Sequence, residues 1–206
     1  QIRDFIPITN HAVYVNTGWA GPSPTFVQDR ISEVMEAEAS MGPGTQAALE
    51  LGKNLIKEAK KEAAQLLHAN PGEILLTHST TEGLNIILYG IGWRPGDEIL
   101  TCNLEHPALA LAAKNLENRS GVVSKVVDVD PQAEQSDIIE AVIGGITAKT
   151  RLIALSHIQY SCGLVMPVRQ ITRIAHERDI PVLVDGAQSV GHIAVDLQSL
   201  RSGSFD

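Results

Sequence analysis

The sequence predicts an α/β protein, a three-layer αβα arrangement around a mostly parallel sheet. From Glu73 onward, short β-branched apolar runs alternate with segments whose apolar residues recur at helical spacing. The runs are continuous rather than alternating, as in strands buried on both faces, and Val182-Leu183-Val184, stopping on Asp185, is the clearest of them. A helical segment between successive strands is the crossover that parallel strands need, and it implies right-handed βαβ units.

Two long helices come first. Tyr14 to Pro24 reads as a short strand running into a Gly/Pro-rich loop. A helix from about Thr25 to Ala39 carries a broken apolar stripe of Phe26, Ile31, Val34 and Met35, and Met41-Gly42-Pro43-Gly44 breaks it. A second helix spans about Thr45 to His68, with Leu49, Leu51, Leu55, Ile56, Ala59 and Ala63 on its buried side. These elements define an expected N-terminal segment, residues 1–70, ahead of an α/β domain over residues 71–206.

In that domain Ile74 to Thr77 is an expected strand. Glu82 to Gly90 is a helix, with Leu84, Ile87, Leu88 and Ile91 at i, i+3, i+4 and i+7. Arg94-Pro95-Gly96-Asp97 turns into a strand over Glu98 to Cys102, and Pro107 opens a helix to Asn118. Strands at Val122–Val129, Arg151–Ser156 and Pro181–Val184 then alternate with helices at Ser136–Ile143 and Pro167–Arg178. Gly191 to Leu197 reads as a further incoming apolar strand, so that a truncated domain is expected at Ser204-Phe205-Asp206.

A net charge of −8 without any Lys/Arg run argues against a nucleic-acid surface. The two cysteines, Cys102 and Cys162, are far apart and lack ligand-spaced partners, which fits a reducing compartment and neither a disulfide scaffold nor a metal site. No apolar run is long enough to cross a bilayer and no signal peptide is evident, so the expectation is a cytoplasmic protein without a membrane partner.

Three features could carry chemistry, each at the carboxyl end of an expected strand, where open α/β sheets bind ligands. Ser79-Thr80-Thr81-Glu82 has capping-box spacing, and its backbone N–H groups, helix dipole and threonine hydroxyls suit a phosphate; the same spacing also serves a plain helix cap. The glycine pattern of a dinucleotide fingerprint is missing, as is a Lys-containing P-loop, which weakens a nucleotide-binding reading. His106, after Glu105, could stack on a planar ligand or move a proton near neutral pH, and His157 raises the same possibility one strand on. The other five histidines read as structural or surface residues. Asp185 could hold a heteroaromatic nitrogen protonated, as a pyridine cofactor used as an electron sink requires, and Gln188 could bond a ring hydroxyl.

With these residues in place the chain resembles the class V aminotransferase group of fold-type I enzymes, which use pyridoxal 5′-phosphate (PLP), and among them cysteine desulfurases and cystine/cysteine C–S lyases. The matching pieces are Ser79 to Asn85, Gly96 to Ile99, Glu105-His106, Ser156-His157 and Asp185 to Ser189, in the family's order. The resemblance implies that Thr80 and Thr81 contact the cofactor phosphate, His106 stacks on the pyridine ring, Asp185 pairs with the ring nitrogen and Gln188 bonds the ring hydroxyl. His106 and Asp185 would be the catalytic members. It also implies that the Asn16 to Ala20 loop lies near the substrate, that an amino acid is the substrate, and that the parent works as a homodimer.

Two departures qualify the resemblance. Tyr160 stands where cysteine desulfurases carry an asparagine, which tilts the expectation toward a C–S lyase or an epimerase-like relative, with an aminotransferase of the group as a further alternative. The family's lysine, which forms a Schiff base with PLP in a Ser/Thr-Gly-His-Lys motif, would follow the Phe205-Asp206 region, and the family's small C-terminal domain is expected to be absent from this chain too. That domain supplies the mobile nucleophilic cysteine of desulfurases, and neither Cys102 nor Cys162 matches it. The expectation is an N-terminal portion of a PLP enzyme, inactive by itself; the rival is a non-catalytic module of the same fold that binds phosphate or cofactor.

Overall fold

The computed structural model describes residues 2–202, so Ser204-Phe205-Asp206 lies outside the described residues. The chain divides into two compact units, one up to Glu62 and one from Ala63 on.

In the first unit two short 3-10 turns, Ile2–Phe5 and Pro7–Asn10, precede a loop and the helices α1 (Thr25–Met41) and α2 (Gln46–Leu66), the last turn of α2 belonging to the second unit. The strand expected at Tyr14 does not form. No ladder partner faces it among the described residues; instead the chain turns on itself, with Ala20 N–H on the Asn16 carbonyl (3.2 Å) and the Tyr14 hydroxyl on the Ala20 carbonyl (2.8 Å). The bounds of both helices follow the sequence reading to within a few residues, but the side of α2 expected to be buried is not: Leu49, Ile56 and Ala59 are exposed.

The second unit holds a four-stranded, all-parallel sheet: β1 (Glu98–Cys102), β2 (Val123–Val127), β3 (Thr150–Ser156) and β4 (Val182–Asp185), in the order β2-β1-β3-β4. Helices α3 (Thr80–Gly90), α4 (Pro107–Ser120), α5 (Gln135–Gly144) and α6 (Val168–His176) cover it, and α7 (Leu197–Ser202) follows β4. Because successive strand residues point to opposite faces, β1 and β3 each feed two cores. Leu100, Cys102, Ile153 and Leu155 pack with α5 and α6 through Ile138, Val142, Val168 and Ile171. Ile99, Leu152 and Ala154 pack with α3 and α4 through Leu84, Leu88, Leu109, Ala113 and Leu116. This is the three-layer αβα arrangement, and it explains the continuous apolar runs of β1 and β3; Val182, Leu183 and Val184 of β4, expected to be buried on both faces, are half-buried. Leu100 and Ile153 are fully buried, each contributing roughly 1.5–3 kcal/mol.

Two further expectations are corrected. Ile74 to Thr77 is not a strand: the segment leaves a 3-10 turn at Pro71–Glu73, and Leu75 and Leu76 are exposed. An extended run without a neighbour among the described residues has no ladder to join, whatever its β propensity. Gly191 to Leu197 is not an incoming strand either. It makes an isolated bridge between Val190 and Ile193 and ends where Asp196 caps α7, its Oδ1 accepting from Gln198 N–H (2.8 Å) and Ser199 N–H (3.2 Å). The other strands and helices fall where the periodicity places them, with α3 opening two residues earlier, on Thr80. β4 runs one residue further than expected, so Asp185 occupies its last rung, opposite Ser156.

Candidate active site

The carboxyl ends of four parallel strands share one edge, so the residues that follow β1, β3 and β4 are brought together by topology. The amino end of α3 reaches the same edge. Tyr89, near the end of α3, lies under the Arg119 guanidinium near the end of α4, 5.6 Å from ring centroid to charge, so the two helices run side by side in the same direction. Their last turns sit where β1 and β2 begin: Gly121, left-handed at φ 67 as it closes α4, accepts from Gly96 N–H (2.8 Å), and Val123 N–H meets the Asp97 carbonyl. Their first turns therefore lie at the other edge, beyond the strands' carboxyl ends.

At the start of α3, Ser79 is extended and its Oγ accepts from Glu82 N–H (3.2 Å). Glu82 does not close the box on Ser79, as the spacing suggests, but reaches one residue further back to His78 N–H (2.6 Å) and the His78 ring. Those contacts, the backbone N–H first, hold its carboxyl below the usual carboxylate range. Thr80 and Thr81 form the first two helical positions and are exposed, so hydroxyls and backbone donors stand at the positive end of the dipole.

His106 caps α4, its Nδ1 accepting from Ala108 N–H (3.1 Å). A nitrogen that accepts carries no proton, which leaves the exchangeable proton of the neutral ring on Nε2. The ring meets Tyr160 edge-on, with centroids 4.8 Å apart at 82°. Tyr160 is at the tip of the loop after β3, which closes through Gln159 N–H on the Leu164 carbonyl (2.9 Å) and Gly163 N–H on the Gln159 carbonyl (2.8 Å). Gly163, at φ 73, takes the left-handed conformation that this reversal needs.

Asp185 is 6% exposed at the end of β4, and its Oδ1 accepts from Ala187 N–H (2.9 Å), opening the tight turn that carries Gln188. Its carbonyl accepts from His157 N–H (2.9 Å), while the His157 carbonyl accepts from Met166 N–H (2.9 Å). Burial pushes the His157 imidazole below the ordinary histidine range, so it is neutral at pH 7. His157 thus joins the β3 and β4 ends through its backbone.

Two contributors escaped the sequence reading. In the sequence Glu105 is no more than the neighbour of His106, yet it is buried and gathers donors from β1, from the end of β3 and from the loop that follows. In the sequence Tyr160 is a departure from a motif, and nothing local signals its contact with His106. A carboxylate two residues past a buried strand is a signal in principle, but it points to Ser156 only once β1 and β3 are known to be neighbours. Cys102 is a core residue as expected; burial, helped by the Glu105 charge, pushes its thiol up to about 12. Cys162 is exposed.

Residues 20–202 match the family model for aminotransferase class V. The chain belongs to that family. Among curated relatives, a probable cysteine desulfurase of Methanothermobacter thermautotrophicus is 31% identical over 203 residues, covering 97% of this chain and 50% of the relative. A probable cysteine desulfurase of Pseudomonas aeruginosa is 40% identical over 147 residues, covering 69% of this chain and 36% of the relative. Among solved structures, the cystine C–S lyase C-DES in complex with its product cysteine persulfide superposes with a TM-score of 0.91 at 30% identity, covering 95% of this chain and 52% of that one. A lysine-to-alanine mutant of C-DES, with glycine covalently linked to its PLP cofactor, gives a TM-score of 0.92 at 30% identity, covering 96% of this chain and 52% of that one. The chain spans about half the length of the relatives it matches. The family and fold expected from the motifs are thus borne out.

Proposed function

We propose that this protein serves PLP-dependent cleavage of a C–S bond in cysteine or cystine. The reading is supported by a helix start with exposed threonine hydroxyls, an aromatic-backed histidine and a buried carboxylate toward one sheet edge, in a chain whose relatives are desulfurases and a C–S lyase. The residues fit the cofactor. A phosphate suits the threonine hydroxyls and backbone donors at Thr80 and Thr81. A pyridine nitrogen suits Asp185, whose low exposure strengthens its attraction for a protonated ring. A planar ring suits His106, kept in place by its cap bond and by Tyr160.

When bound, PLP supplies an electron sink for carbanion chemistry at the substrate α-carbon. Thr80 and Thr81 hold the phosphate end, Gln188 orients the ring through its hydroxyl, and Asp185 keeps the ring nitrogen protonated. His106 covers the ring and carries a proton on Nε2, since Nδ1 is engaged by Ala108 N–H. Tyr160, in the place of the desulfurase asparagine, favours the lyase reading over the desulfurase one. A homodimer and a cytoplasmic setting complete the proposal. The exposed apolar side chains Leu75, Leu76, Ile86 and Ile87 support the first, and two free cysteines the second.

Titrating the chain with PLP, followed by fluorescence and equilibrium dialysis, tests the reading. Saturable binding, weakened by Asp185→Asn and by Thr80→Val, is the expected result. Binding that is absent, or indifferent to both substitutions, overturns it.

A further inference from the structure

Glu105 is the most heavily engaged buried polar side chain at the sheet edge, and none of the roles above uses it. It is 8% exposed. Ser156 N–H is shared between its two oxygens at 3.0 Å each, and the Ser156 hydroxyl donates to Oε2 at 2.6 Å. Gln159 Nε2 donates to Oε1 at 3.0 Å, and the Cys102 thiol to the same oxygen at 3.2 Å. One carboxylate thus fastens the turn after β1 to the end of β3 and the loop that follows it. Among the described residues no backbone ladder does so there: the β1–β3 register ends at Leu100 opposite Ile153, short of both turns.

The orientation of Gln159 shows how strongly this acceptor governs its surroundings. The residue is fully buried, and its Oε1 has no hydrogen-bond partner among the described residues. Turning the amide over would aim that oxygen at the Glu105 carboxylate, so the amide nitrogen stays on Glu105 and the oxygen goes unserved. The next residue in each segment is the one that matters for the site. His106 follows Glu105, Tyr160 follows Gln159, and their rings are in contact.

We propose that Glu105 is a positioning residue, its bonds to Ser156 and Gln159 setting His106 against Tyr160 at the carboxyl edge of the sheet. Its use in binding a cofactor ring rests on the PLP reading above; the His106–Tyr160 geometry does not.

The test uses the 206-residue chain with its histidines labelled with ¹³C at Cε1. The His106 signal is assigned by its loss in His106→Gln, and the ring-current shift from Tyr160 is calibrated with Tyr160→Leu. In Glu105→Gln, which keeps the length but sets an amide N–H among donors, that shift is lost, and adding Tyr160→Leu then moves the signal no further. Ser156→Ala and Gln159→Leu, each deleting part of the network, lose part of the shift and carry the test if Glu105→Gln does not fold. Tyr160 amide and ring signals that stay dispersed distinguish movement of His106 from unfolding. A full ring-current shift retained in folded Glu105→Gln, or in both milder variants, overturns the proposal. Because no cofactor is added, failure to bind PLP would count against the functional reading alone, and a retained shift against the positioning role alone.

Discussion

Replacing both threonines at the start of α3 isolates the phosphate half of the proposed site. Thr80 and Thr81 are exposed in the first helical turn, and the cap bond there comes from Ser79 rather than from either of them. Valine at both positions should therefore leave stability within about 0.5 kcal/mol of the parent. A hydrogen bond to a charged group contributes about 1.5–3 kcal/mol, and exposed hydroxyls belong at the lower end. That corresponds to about tenfold weaker PLP binding for either single substitution and about a hundredfold for the pair. The assay is a fluorescence titration run in parallel with PLP and with pyridoxal, which lacks the phosphate. The parent should prefer PLP, and the double variant should lose about a hundredfold of that preference, keeping only what the backbone donors and the helix dipole supply. If the double variant weakens pyridoxal as much as PLP, or weakens neither, the threonines do not read the phosphate.

Two other outcomes follow from the ionisable groups. The folded His157 imidazole titrates below its ordinary value of 6.5, so the unfolded chain binds the extra proton first as pH falls. Stability is fully present above about pH 6.5 and declines from there down to the folded value; urea midpoints of His157→Gln should show a flatter slope across that window. For the cysteines, iodoacetamide at pH 8 should modify exposed Cys162 and spare Cys102, whose thiol is held near 12, while denaturant should open both. Mass-mapped labelling of native Cys102 at a rate like that of Cys162 would contradict the buried geometry.

The sheet was legible because its strands announce themselves twice, by continuous apolar runs and by the helices between them. β1 and β3 show both signals, and both are buried on two faces. Ile74 to Thr77 has the same composition without a neighbour, and Gly191 to Leu197 is diverted into a helix cap by Asp196, because pairing is not a local property. The site divides along the same line. Thr80, Thr81, His106 and Asp185 were proposed from expected strand ends and helix starts, although the strand expected ahead of Thr80 does not form. The Glu105 network joins residues 51 and 54 positions apart and depends on β1 and β3 being neighbours, which no local pattern states.

The central claim is that a pyridine ring lies at the sheet edge with its nitrogen on Asp185. PLP labelled with ¹⁵N in the ring reports this directly by NMR. In the parent chain the bound cofactor should show the shift of a protonated nitrogen well above the pH at which free PLP loses that proton, and in Asp185→Asn it should show the unprotonated shift. A bound nitrogen that is unprotonated in the parent, or protonated equally in both proteins, would contradict the account.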